Sequence, residues 1–259
     1  MRPNPYCNLL LVSAAIIAIL MGQRSLATSL AQDPQSWQLN WSHVLEQVVD
    51  SAGRIDFAKL RQDPVSLDEL VDFVAMVDPS TRLQLYPDRH AKMAYYLNTY
   101  NILAMHGVLR ANVPDSLGGI RKLFFFYLQK FSVGGRDISL YALENDVIRP
   151  MGDERVHFAL NCMVKGCPKL PRVAFSADII DAQLDSAART FINDERNVRP
   201  DAAAKEVWLS AIFRFYTADF LAHAPSLIAY INRYRLQPLP TSFAVRFLDY
   251  DWKVNSSPR

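Results

Sequence analysis

The sequence predicts an α+β fold, with several helices packed around a small mixed or antiparallel sheet in a single domain. Three observations lead there. Half of the 259 residues are hydrophobic and 11% are aromatic, which supplies the apolar surface a core requires. Segments of helical and of strand periodicity both occur, but without the regular alternation of a doubly wound α/β sheet. No internal repeat and no Gly/Ser/Pro linker divides residues 32–253, which read as one globular domain. Nine Gly exclude a collagen-like chain, and three Cys exclude a disulfide-dense miniprotein. A net charge of +2 without a basic run gives no footprint for nucleic acid.

The first 31 residues read as a signal peptide. Arg2 lies in a short polar opening, residues 9–21 form an apolar run broken only by Ser13, and small residues precede possible cuts after Ala27 and Ala31. Thirteen helical residues rise about 20 Å, short of a hydrocarbon core of about 30 Å. The alternative is an uncleaved anchor, the one case in which a membrane would be a partner. Cleavage makes the protein exported, periplasmic or extracellular. It also removes Cys7 and leaves Cys162 and Cys167 as an isolated pair in an oxidising compartment.

Along the remaining chain, residues 32–36 are expected to fray. Residues 37–51 carry Trp41, Val44, Leu45 and Val48 at helical spacing, and Gly53 stops that helix. Residues 67–77 repeat the pattern with Ser66 as a cap. Residues 89–110 form the longest helical candidate. Residues 124–133 and 136–140 flank Gly134-Gly135 and read as a hairpin. A short helix follows to Ile148, and 155–161 reads as a strand. Helices are expected at 177–193, from Ser210 to 221 and at 226–234, with short strands at 207–210 and 243–248. Residues 254–259 look like a frayed tail.

The densest polar signal is Arg155-Val156-His157-Phe158-Ala159-Leu160-Asn161-Cys162. As a strand it would place Val156, Phe158 and Leu160 on one face and His157, Ala159 and Asn161 on the other. His157 then reads either as a hydrogen-bonded core histidine or as a general base. Cys162 and Cys167 follow, with Gly166 and Pro168 permitting a tight loop. Four readings of the pair stand open: a disulfide, a reactive thiol with His157 as base, a metal site using His157, Cys162 and Cys167, or two inert buried thiols. No cofactor is indicated.

Asn98 and Asn101 are neighbours on one face of the long helix, bordering Met93, Leu97, Ala104 and Val108. Asn is a poor helix-interior residue, so the two amides either tie the helix to a loop or line a pocket. Glu144 and Asp219 each lie among apolar residues. Either could pair with His157 or with an arginine, and Arg149 is at hand.

Taken in order, several segments resemble the family called domain of unknown function 547. Val48 through Phe57 is similar to that family's opening "V-x-x-x-G-x-V-D-Y". Asn98-Thr99-Tyr100-Asn101 is like its "N-x-Y-N". Gly135 with Ile138-Ser139-Leu140 and Glu144 resembles "G-x-x-x-S/T-L-x-x-I-E". His157 to Cys162 with Cys167-Pro168 resembles "H-F-A-L-x-C-x-x-x-x-C-P", the most specific piece. Leu209-Ser210, Phe213 to Tyr216 and Asp219-Phe220 resemble "L-S-x-x-x-x-W-Y-x-x-D-F", and Tyr250-Asp251-Trp252 with Asn255 is close to a typical ending. Phe57, Phe215 and Met163 depart from the usual tyrosine, tryptophan and small residue. The resemblance implies no established activity. It does imply that Asn98, Asn101, Glu144, His157, Cys162, Cys167 and Asp219 converge in space.

Three functions follow from that convergence. The first is a hydrolase or acyl-transfer enzyme, with His157 as base, Glu144 or Asp219 orienting it, Asn98 or Asn101 stabilising an oxyanion and Cys162 as nucleophile if reduced. The second is a module that binds a small molecule, peptide or protein, stapled by a Cys162–Cys167 disulfide. The third is a redox partner cycling that pair.

Overall fold

The structure, a computed structural model, describes residues 33–257. The expected signal segment, 1–31, lies outside the described residues. Helix α1 (Pro34–Val48) is held at its start by the Asp33 carboxylate, which accepts the Ser36 N–H at 2.8 Å. An acidic cap followed by Pro is a favoured helix start. It also removes the fraying expected from residue 33 onward. Helices α2 (Phe57–Gln62), α3 (Val65–Met76) and α4 (Arg89–Arg110) follow. Ser66 does not cap α3. Pro64 stands at that position, and its carbonyl accepts the Leu67 and Asp68 N–H groups. Helix α4 has the bounds its sequence predicts. It is buried along most of its length, because α1, α2 and α3 all pack against its apolar residues.

Helix α5 (Ile120–Leu123) runs directly into a wider, π-type stretch over Phe124–Leu128. The hairpin expected from residue 124 is therefore shorter: β1 (Phe131–Val133) pairs antiparallel with β2 (Arg136–Ile138). Residues 120–128 repeat their apolar positions at helical spacing, and that period wins over their strand-forming aromatics. At the turn, Gly134 has φ 58°, and a Cβ there would lie 2.4 Å from that of Asp78. Helix α6 (Leu140–Ala142), capped by Ser139, widens in the same way over Leu143–Ile148.

The strand expected over 155–161 does not exist. Asp153 accepts the Arg155 N–H, and Glu154–Phe158 winds as a 3₁₀ turn. The Ala159 and Leu160 N–H groups both reach the Val156 carbonyl at 2.9 Å. All of residues 156–161 are buried. The turn is wedged between two hydrophobic cores: Val156, Ala159 and Leu160 belong to a larger one built on α1–α4, and Phe158 to a smaller one. An alternating segment buried on both sides carries the same pattern whether it is a strand or a turn.

The smaller core gathers Phe158 with Phe191 of helix α7 (Ile180–Ile192), Phe213 of α8 (Ala211–Phe215), Phe220 of α9 (Thr217–Leu221) and Tyr230 of α10 (Leu227–Asn232). Over it lies a mixed sheet in which β4 (Glu206–Leu209) pairs antiparallel with β3 (Val198–Asp201) and parallel with β5 (Ala244–Phe247). The strands thus form two small sheets, one for each part of the chain. Of the tail expected over 254–259, residues 254–257 are not frayed, and 258–259 lie outside the described residues. The Asn255 N–H donates to Met163 O, the Lys165 N–H to Lys253 O and the Ile55 N–H to Asn255 O, so residues 251–257 lace the turn after α1 to the Cys162–Cys167 loop.

Candidate functional site

The loop from Cys162 to Cys167 is fixed by its backbone. Asn161 is buried, and its amide accepts the Met163 N–H at 2.7 Å while donating to Pro168 O at 2.6 Å. Met163 is held at φ 66°, a left-handed conformation costing roughly 1–3 kcal/mol in a non-glycine residue. Such a conformation persists only where the surroundings over-determine it. Asn161 and the Asn255 N–H, which donates to Met163 O, do so here. Gly166 leaves room for the Tyr250 ring, which an added Cβ would approach to 2.9 Å.

The expected disulfide is not formed: both cysteines are free and their sulfurs stand 2.9 Å apart, against about 2.05 Å for an S–S bond. The pair is asymmetric. Cys167 Sγ receives the Cys162 backbone N–H at 3.1 Å, and the Tyr250 hydroxyl lies 3.3 Å from it and 3.7 Å from Cys162 Sγ. Burial opposes its ionisation, yet these donors, together with the Cys162 thiol, bring Cys167 below the ordinary thiol range. The contact with Cys167 and burial push Cys162 far above it. Of the two, Cys167 is the sulfur whose surroundings favour the thiolate, and Cys162 the one held as a thiol.

His157 sits at the seam between the cores. Asp219, from α9, accepts its Nε2–H at 2.8 Å. Arg149 forks onto the same carboxylate, from Nε and Nη2, at 2.8 Å each. The His157 hydrogen bond and the Arg149 guanidinium hold Asp219 well below the usual carboxylate range. The imidazole stacks on Tyr216 with centroids 3.7 Å apart, and Tyr216 donates its hydroxyl to the Glu144 carboxylate. Nδ1 of His157 is buried without a hydrogen-bond partner among the described residues.

Both groups open on one cavity of about 350 Å³. Its lining includes His157, Glu144, Arg149, Cys162, Cys167 and Tyr250, and aromatic side chains such as Tyr100, Phe126, Phe215 and Trp252 supply much of the rest. The chain thus brings together Glu144, His157, Asp219, Cys162 and Cys167. Asn98 and Asn101 do not join them. Asn98 exchanges two hydrogen bonds with the Phe175 backbone, at 2.8 and 2.9 Å. Asn101 donates to Ala159 O and accepts the Asn161 N–H. Both amides are spent on the backbone, and neither lines the cavity. His157, Cys162 and Cys167 form no metal centre either. Among the described residues no group of three or more His, Cys, Asp or Glu is placed to hold an ion, and Nε2 of His157 is already bonded to Asp219.

Sequence reasoning assigned no site role to Tyr100, Tyr216 or Tyr250. Each lay inside a segment carrying the family resemblance, and a buried tyrosine hydroxyl needs a polar partner. That requirement was the available signal.

The fold and cavity define a class: an α+β protein whose two cores meet at a buried imidazole–carboxylate–guanidinium network beside a dithiol. Residues 84–192 match the family described as "Protein of unknown function, DUF547". The match covers α4, His157, both cysteines and α7, while Tyr216, Asp219 and Tyr250 come from outside it. No curated protein and no solved structure matches the chain.

Proposed function

We propose that the cavity is a thiol–disulfide exchange site, in which Cys167 attacks a disulfide-bearing small molecule or peptide and Cys162 resolves the product. The observation that carries this reading is the 2.9 Å approach of two free sulfurs on a cavity wall, one of them receiving a backbone N–H and lying 3.3 Å from a hydroxyl. The Cys167 thiolate attacks one sulfur of the substrate, forming a mixed disulfide and expelling the first substrate thiolate, which takes up a proton. Cys162 gives up its proton and attacks Cys167 Sγ, forming the intramolecular disulfide and releasing the second thiolate, which is protonated in turn. Two protein thiols are oxidised by two electrons, and one substrate disulfide is reduced to two thiols. The reduced pair is one state of this cycle and the disulfide read from the sequence is the other.

A second reading rests on the His157–Asp219–Arg149 network. An imidazole oriented by a carboxylate, with its other nitrogen unbonded, is the arrangement of a general base in acyl transfer. The thiol reading stands ahead of it because no hydrogen bond links His157 to either sulfur. Equilibrating the protein in mixtures of reduced and oxidised glutathione, with the thiols read by mass spectrometry, decides the matter. The exchange reading expects one reversible intramolecular disulfide, and in Cys162→Ser a mixed disulfide trapped on Cys167. A pair that stays reduced throughout, or reacts only after unfolding, overturns it.

A further inference from the structure

Among the described residues, 119–130 hold the largest run of exposed apolar side chains. Ile120, Phe124 and Leu128 are 69%, 57% and 53% exposed, and Leu123 and Tyr127 lie beside them. These positions follow the i, i+3, i+4, i+7, i+8 rule of one helix face. Phe125 and Phe126 turn the opposite way, into the body of the protein. An amphipathic helix normally buries its apolar stripe, but here the helix presents that stripe to solvent and packs through its other side. Tyr141 extends the face by stacking on Tyr127 with centroids 4.5 Å apart. Among the described residues no element of the fold covers it.

Charge selects the occupant. The segment carries Arg121, Lys122 and Lys130 and no acidic residue, and Arg121 and Lys130 are exposed at the margins of the stripe. Two copies of the chain joined face to face across this patch would bring those cations against one another. Anionic headgroups would neutralise them, while aromatic and leucine side chains enter the acyl boundary, as interfacial helices do. We propose that the 120–128 helix docks the protein on an anionic lipid surface, lying in the plane of the interface. Lys122, Phe126, Tyr127 and Tyr141 also line the cavity, so docking would bring its mouth to the bilayer. The docking itself does not depend on the chemistry proposed for the thiols.

The test places a reporter on the patch of the full-length chain. Phe124→Trp is compared with Leu236→Trp, an exposed control beyond α10, each after subtracting the wild-type signal. Vesicles of phosphatidylcholine with phosphatidylglycerol, carrying brominated acyl chains, should quench the first reporter and spare the second. Pure phosphatidylcholine or high salt should weaken the quenching. Adding Leu123→Ser and Leu128→Ser should raise the lipid concentration for half quenching roughly tenfold or more. A chain that binds vesicles without quenching at position 124, or quenching equal at both reporters, overturns the proposal. So does a concentration-dependent self-association, seen without lipid and abolished by the same two serines, since it would assign the face to a second copy.

Discussion

Asn98 and Asn101 on helix α4 and His157 in the Glu154–Cys167 segment are all buried polar side chains, and they are satisfied to different degrees. On α4, Asn98 and Asn101 satisfy both ends of their amides with backbone groups of other segments. Around the cavity, Nδ1 of His157 has no partner among the described residues, and Cys167 gathers donors beyond what its packing requires. The first pattern is scaffold: the polar groups let α4 carry the loop at Phe175 and the turn at Ala159. The second leaves bonding capacity unused, which folding alone gives no reason to keep. Burial does not separate these asparagines from His157, and how completely each side chain is satisfied does. The distinction holds for these residues and not for α4 as a whole, where Thr99 Oγ1 and His106 Nδ1 are also buried without a partner among the described residues.

The contrast can be broken most severely at α4. Asn101→Ala would leave Ala159 O and Asn161 N–H buried and unpaired. At about 1–3 kcal/mol for each group, it should cost roughly 2–6 kcal/mol in urea unfolding, with Asn98→Ala close behind. A loss below about 1 kcal/mol in both would remove the scaffold reading. His157→Phe keeps the stacking on Tyr216 and leaves Asp219 on Arg149, so its cost should be about 1–2 kcal/mol. A loss as large as that of Asn101→Ala would make His157 scaffold as well.

Acid sharpens the same contrast. Asp219 titrates below its unfolded value in the folded protein, so its stabilisation is complete above about pH 4 and is lost as pH falls through its lower folded pKa. Thermal unfolding followed downward from about pH 4 should show this loss in the wild type, reduced in Asp219→Asn. The smallest expected effect on stability is at Cys167→Ser, within about 1 kcal/mol. Its effect on reactivity should be complete. Native alkylation of the wild type should rise with a midpoint below the ordinary thiol value of about 8.5, and this early phase should vanish in the variant.

Much of the scaffold was legible in the sequence. The 89–110 helix, the Gly134-Gly135 turn and the short strands at 207 and 244 each follow from local periodicity and turn residues. What misled was residue 155 to 161, where alternation reports two buried sides without saying what buries them. The aromatic run at 124–128 misled for a related reason. Its residue types favour a strand, while its period belongs to a helix. For the site, His157, Asp219 and Arg149 could be nominated as a group because acids among apolar residues need partners. The split between Asn98 or Asn101 and the cavity could not be read. It depends on which distant backbone atoms, those of Phe175, Ala159 and Asn161, fold against each amide. Tyr250 was hidden in the same way, because 83 positions separate it from the Cys167 sulfur it contacts.

The lacing of residues 251–257 across Ile55 and Met163 carries a consequence for how this protein is born. Those residues are synthesised more than 80 positions after the thiol loop, yet they bond to it and to the turn after α1. Until they leave the ribosome, Cys162 and Cys167 lie in a loop with no edge to pair with and no hydroxyl beside them. Pairings of such long sequence separation form slowly, so the nascent thiols meet their surroundings before the finished molecule can shelter them.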